Sequence, residues 1–224
     1  MPSRSRSFEG LFITLEGGEG SGKTTQALRL FRWLTARGYE VLRTREPGGT
    51  PIAERLRDIV LDRSDEALAP EAEALLILAA RRQHVDRVIR PALARGAIVI
   101  CDRFSDSTLA YQGYGRGLDL KTLRLMNEWA TGRLHPHLTL FFDLPVAMGL
   151  RRRRGHPAVQ NRLDRETSRF HSNVRAGFHA LAKREPKRIA IVDARPSPEA
   201  VAATVETLVL DRLRLSRPLR GRLR

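Results

Sequence analysis

Between Gly17 and Thr24 the chain reads GGEGSGKT, a full match to G-x-x-x-x-G-K-[ST]. Such a loop works only between a strand and a helix. The flanks supply both: the apolar run LFITLE (11–16) precedes it, and a helical pattern runs from Lys23 to about Arg37, where Gly38 supplies a stop. Glycines let the loop curl so that backbone N–H groups point inward at phosphate oxygens, and the helix adds its positive end. Gly17, Gly18, Glu19, Gly20, Ser21, Gly22, Lys23, Thr24 and Thr25 thus form a nucleoside-triphosphate site. Lys23 reaches the β- and γ-phosphates, and the Thr24 hydroxyl is a ligand for Mg²⁺.

The rest of the pattern alternates short apolar runs with amphipathic ones. Strands are expected at 39–44, 97–101, 138–144 and 188–193, and helices at 51–61, 70–94 (broken near Pro91), 119–131, after Pro145, 167–184 and 197–213. This predicts an α/β fold with a five-stranded parallel sheet flanked by helices. The expected organisation is a flexible extension over 1–10, one domain over 11–215 with a mobile insertion near 151–166, and a basic tail over 216–224.

Forty basic and 25 acidic residues give a net charge of +15, which points to anionic partners. The excess gathers in Arg151–Arg154 and in the last residues, not along an interleaved stripe. No nucleic-acid motif accompanies it, so a nucleic-acid-binding NTPase is the less favoured alternative. A single cysteine, Cys101, excludes an intrachain disulfide and suits a reducing compartment. No run approaches the roughly 20 apolar residues of a membrane span. The opening MPSRSRSFEG lacks the apolar core of a secretory signal. A cytoplasmic protein without membrane or specific nucleic-acid partners is expected. His84, His135 and His156 show no metal-ligand spacing and read as surface or structural residues.

Asp102 and Arg103 follow the strand at 97–101, and Arg45 lies in TREPGGT after the second strand. Ligands of open α/β sheets sit beyond the carboxyl ends of strands. Asp102 is therefore placed to hold Mg²⁺ through water. Arg45 and Arg103 are placed to clamp a second phosphate, which guanidinium groups bind bidentately.

The segments GGEGSGKTT, TREPGGT, CDRFSDSTLAYQG and the late DRE together resemble bacterial thymidylate kinases, from about Leu11 to Leu215. The resemblance implies a P-loop nucleoside monophosphate kinase that uses ATP and Mg²⁺ to phosphorylate dTMP, and a homodimer packed through helices. It implies that Arg45 and Arg103 bind the dTMP phosphate and Arg81 the thymine carbonyl. It further implies that Thr108 and Gln112 bind the base edge, with Ser107 beside them. By the same resemblance, Tyr111 is expected to pack on the deoxyribose and Glu19 to lie near the sugar hydroxyl and metal. Ile77 stands where the family carries an aromatic over the base. Another P-loop deoxynucleotide kinase with altered base choice is the alternative that this replacement motivates. The phosphate loop has no arginine, so positive charge for phosphoryl transfer is expected from 151–166, which the resemblance implies is a lid closing over ATP. Arg151, Arg154, Arg162 and Arg165 are the candidates, with the choice among them open.

Overall fold

A computed structural model describes residues 10–62, 66–155 and 162–216, apart from the side chains of Arg165, Leu215 and Ser216. Residues 1–9 of the expected N-terminal extension, all of the basic tail after Ser216, and 156–161 of the expected lid, His156 among them, lie outside the described residues.

Five strands, β1 (Leu11–Glu16), β2 (Val41–Arg45), β3 (Ile98–Asp102), β4 (Leu138–Asp143) and β5 (Ile189–Asp193), form one sheet in the order β2-β3-β1-β4-β5. All its pairings are parallel. The three inner strands, β3, β1 and β4, are buried almost throughout, as apolar runs covered on both faces should be. The edge strands β2 and β5 are only partly buried. Along β1 the side chains alternate. Leu11, Ile13 and Leu15 join one core with Leu30 and Leu34 of α1 (Lys23–Thr35) and Val205 and Val209 of α9 (Pro198–Ser216). Phe12 faces the opposite layer, where it meets Phe104 edge-on at 4.9 Å.

On that second side lie α2 (Pro51–Leu61), α3 (Pro70–His84), α6 (Leu120–Thr131) and α8 (Ser168–Arg184). The helical pattern over 70–94 is not broken at Pro91. Instead α3 widens into a π turn at Val85–Ile89 and continues as α4 (Arg90–Ala94). Proline lacks an N–H and crowds the carbonyl four residues back; the wider turn just before it absorbs both effects.

One element escaped the sequence pattern. The segment after β3 forms a short helix, α5 (Ser105–Thr108), that runs into a second π turn at Leu109–Gly115. Its glycines and serines argue against a helix. Tertiary packing overrides them: Gly115 lies against Phe170, and Gly177 of α8 against Tyr114, so close that a Cβ on either glycine would collide. Tyr111 meets Phe170 and Phe178 edge-on at 6.1 and 6.3 Å.

A two-phosphate cleft as candidate active site

The loop after β1 opens at the carboxyl edge of the sheet, between β3 and β4. Thr50, Asp119 and Thr167 cap α2, α6 and α8 with side-chain oxygens, whereas α1 begins after Gly22 with no side-chain cap. Its first N–H groups remain available to an anion. Lys23 Nζ donates to the Gly18 carbonyl at 2.8 Å and to Ser21 Oγ at 3.3 Å. Burial and the neighbouring Arg103 push the Lys23 amine down to about 8, against the pull of Glu19, Asp102 and Glu16. Thr24 Oγ1 donates to Asp102 Oδ2 at 2.7 Å, so these two side chains meet as expected. The loop is also pressed by α7 (Val146–Arg154). A Cβ on Gly20 (φ +67°) would sit 2.2 Å from the Gly149 carbonyl oxygen, and one on Gly149 would sit 2.3 Å from that of Glu19. Only a glycine pair permits this approach.

Facing the loop across a cleft of about 720 Å³ are Arg45, Ile77, Arg81, Arg103, Ser107, Thr108, Tyr111 and Gln112. Every dTMP-binding candidate of the sequence therefore lines one cavity together with Glu19, Lys23 and Thr24. Arg45 is half-exposed and held by Glu54 at 2.8 Å. Arg103 takes a left-handed backbone (φ 72°), uncommon for a residue with a side chain. It is fixed there by bonds to Glu19 at 2.7 Å and the Gly17 carbonyl at 3.0 Å. Tyr111 donates its hydroxyl to Glu19 at 2.9 Å and stacks under Arg103. Burial opposes the charge of Glu19, but Arg103, Lys23 and the Tyr111 hydroxyl outweigh it and hold the carboxyl down to about 2.

Arg81 is 1% exposed and largely committed. It donates to Glu46 at 2.7 Å, Thr108 Oγ1 at 2.7 Å, Asn127 Oδ1 at 2.6 Å and the Phe104 carbonyl at 3.0 Å. That leaves one N–H on Nη2 for the cleft. Thr108 accepts from Arg81, so its own O–H is left to donate. Ser107 sits lower, donating to Glu16 Oε2 at 2.5 Å and accepting from Arg103 at 3.3 Å.

The arginines of the segment expected to be a lid are placed differently from the sequence reading. Arg151 and Arg154 are exposed and do not line the cleft, whereas Arg152 and Arg153 do. Arg153 donates to Asp164 at 2.8 and 3.1 Å. Arg162 points to Glu73 and the Val60 carbonyl. The Arg165 side chain lies outside the described residues. Among the described residues there is no group of three His, Cys, Asp or Glu side chains that could hold a metal by themselves. Thr24 and Asp102 still fit Mg²⁺, because that ion takes one or two protein oxygens and completes its shell with phosphates and water. His84 is structural, bonded to Glu46 and Thr44; His135 is exposed beside Glu128.

The family model for thymidylate kinase matches residues 15–205. The chain belongs to the thymidylate kinase family. It is 53% identical over 206 residues to a thymidylate kinase of Thermomicrobium roseum, covering 92% of this chain and 97% of that one. A relative from a Synechococcus strain, also named thymidylate kinase, is 52% identical over the same shares. The crystal structure of thymidylate kinase from Ehrlichia chaffeensis superposes with a TM-score of 0.73 at 33% identity, covering 89% of this chain and 98% of that chain.

Sequence reasoning missed several residues of this thymidylate kinase family member. Arg57, Arg152 and Arg153 line the cleft, while Glu46, Glu73 and Asn127 brace its wall. Arg153 could have been found from the arginine run; the buried acids carry no sequence signal. Glu16 is another. At the end of β1 it is fully buried beneath α5 and accepts from the Phe104 N–H at 2.8 Å. Burial and nearby Asp106, itself gripped by Arg188 at 2.7 and 2.8 Å, push its carboxyl up from 4.5 to about 8. Below about 4.5 Glu16 is protonated in both the folded and unfolded chain. Between about 4.5 and 8 only the folded chain keeps the proton, so its contribution to stability falls as pH rises through that window. Glu16→Gln removes this slope. Melting curves of wild type and variant between pH 5 and 8 should diverge, with the wild type losing ground as pH rises; parallel curves contradict a buried neutral acid.

Proposed function

We propose that this enzyme transfers the γ-phosphate of ATP to dTMP, giving ADP and dTDP. The observation that carries this reading is the pairing of the Gly17–Thr24 loop with Arg45 and Arg103 across one cleft, in a chain of this family. Lys23 and the open end of α1 hold the ATP phosphates. Arg45 and Arg103 hold the acceptor phosphate, whose oxygen attacks the γ-phosphorus in line as the bond to the ADP oxygen breaks. No protein nucleophile is required. Mg²⁺ at Thr24 and Asp102 neutralises charge on the phosphates when bound. The arginines supply further positive charge that needs no reorganisation. Cleft side chains offer donors at Arg81 and Thr108 and an acceptor at Gln112, a pattern that suits the two carbonyls and the N–H of thymine. Ile77 covers the base, and Tyr111, wedged between Glu19 and Arg103, fills the space that a 2′-hydroxyl needs.

A coupled ADP-release assay across nucleoside monophosphates tests this. dTMP is the best acceptor, dUMP is weaker, and purine monophosphates are poor. Equal or faster turnover with AMP, GMP or CMP sinks the assignment in favour of a kinase of different base choice.

The working form we propose is a homodimer in the cytoplasm. Large apolar side chains stand exposed on packed helices: Ile52 and Ile59 on α2, Leu75 on α3, and Leu125 and Trp129 on α6, Trp129 at 80%. Isolated exposed apolar residues are ordinary, but a group on neighbouring helices suits a self-complementary two-fold interface. Sedimentation should give twice the chain mass for the wild type and a shift towards monomer for Trp129→Glu. Cys101 is buried and free, which suits a reducing compartment, and no helix of the described residues is long and apolar enough to cross a membrane.

A further inference from the structure

Glu73 of α3 is fully buried, and four donor bonds converge on its carboxylate. Gln112 Nε2 donates to Oε1 at 2.7 Å. Arg116 reaches Oε1 at 3.4 Å and Oε2 at 3.1 Å. Arg162 donates to Oε2. Burial opposes the charge on Glu73, but the bonds from Arg162, Gln112 and Arg116 outweigh it and hold the carboxyl below its usual range. An ionised carboxylate only accepts. Gln112 must therefore present its NH₂ to Glu73, and its carbonyl oxygen is left to the cleft that it lines.

We propose that Glu73 is a positioning residue for base choice: it locks the Gln112 amide so that a carbonyl oxygen, and not an amino group, faces the acceptor base. The proposal rests on the assignment of Gln112 to the base pocket. Thymine and uracil carry an N–H at ring position 3, which donates to that oxygen. The same ring position of cytosine is an acceptor and meets the oxygen lone pair to lone pair. Arg116 and Arg162 keep the lock set by keeping Glu73 charged. The sequence hides this arrangement, because Gln112 and Glu73 are 39 residues apart and Arg162 a further 50.

Glu73→Gln tests the lock. Guanidinium groups only donate, so Gln at position 73 turns its oxygen to Arg116 and Arg162 and its NH₂ to Gln112. The Gln112 amide then turns over and shows its own NH₂ to the cleft. The ratio of kcat/KM for dTMP over dCMP should fall by at least roughly tenfold, the scale of one buried hydrogen bond made or opposed. A merely structural role lowers both substrates together and leaves the ratio alone. Glu73→Asp, still anionic, should hold the ratio within about threefold of wild type even where kcat falls. Gln112→Ala is the control for the underlying assignment. If it leaves the ratio unchanged, Gln112 does not read the base and the proposal goes with it. If Gln112→Ala lowers the ratio while folded Glu73→Gln keeps it, only the role of Glu73 is overturned. A measurement on the wild type covers a variant that does not fold: dTMP methylated at ring position 3 lacks the donor and should bind at least roughly tenfold more weakly than dTMP. Equal binding overturns the proposal.

Discussion

Lys23→Ala lowers kcat on the order of 10²–10³-fold, the loss seen when one preorganised donor to a charged transition state is removed, or about 2.7–4 kcal/mol. Lys23 is buried, and its bonds in this structure go to the phosphate loop itself, to the Gly18 carbonyl and Ser21 Oγ. It holds no distant element in place, so the variant should fold and melt close to wild type. The charge it brings is specific to the site. Burial and Arg103 lower its amine to about 8, so near neutral pH it is largely charged yet poorly solvated. Phosphate oxygens then replace the weak carbonyl partner. The protonated form is the one that binds, so kcat/KM for ATP in the wild type falls as pH rises through about 8. Single-turnover kinetics of folded Lys23→Ala decides: retention of more than about a tenth of wild-type rate, a loss under roughly 1.4 kcal/mol, removes Lys23 from the transferring phosphates.

Arg153→Ala is expected to lower kcat by at least about a hundredfold with the KM for dTMP changed only a few-fold, as for an arginine that meets charge developed in phosphoryl transfer. Arg153 lines the cleft and its charge is felt by Glu19 inside the phosphate loop. Asp164 grips it through bonds at 2.8 and 3.1 Å, which holds the guanidinium in place beside the cleft. Arg151 and Arg154 are exposed and outside the cleft, so their alanine variants should stay within a few-fold of wild type. Arg162→Ala should act through Glu73, and hence through the base pocket. Kinetics of the single alanine variants separates these roles. If Arg153→Ala keeps wild-type kcat within a few-fold, the stabilising charge comes from Arg45, Arg103 and the metal.

Residues close in sequence were the easiest to read. The phosphate loop is a string of backbone conformations within eight positions, and glycine, lysine and threonine at fixed offsets specify it without help from elsewhere. Arg45, Asp102 and Arg103 were placed correctly at the cleft because a parallel sheet brings the carboxyl ends of its strands to one edge. Ile77 and Arg81, one helical turn apart, line the same cavity for an equally local reason. The short helix and π turn over Ser105–Gly115 were not legible, because their own residues disfavour a helix and α8 supplies the packing that holds them.

The sequence by itself determined the phosphate loop, the parallel sheet and which strand ends would meet across the cleft. Each follows from local periodicity or from the handful of ways strands and helices can alternate. Tertiary structure decided the rest: the protonation of Glu16, the orientation of the Gln112 amide and which arginines of the 151–154 run line the cleft. These depend on partners such as Asp106, Glu73 and Asp164, brought close only when the layers pack. Electrostatic and hydrogen-bond energies are set by distance and burial, and a chain fixes both only by folding.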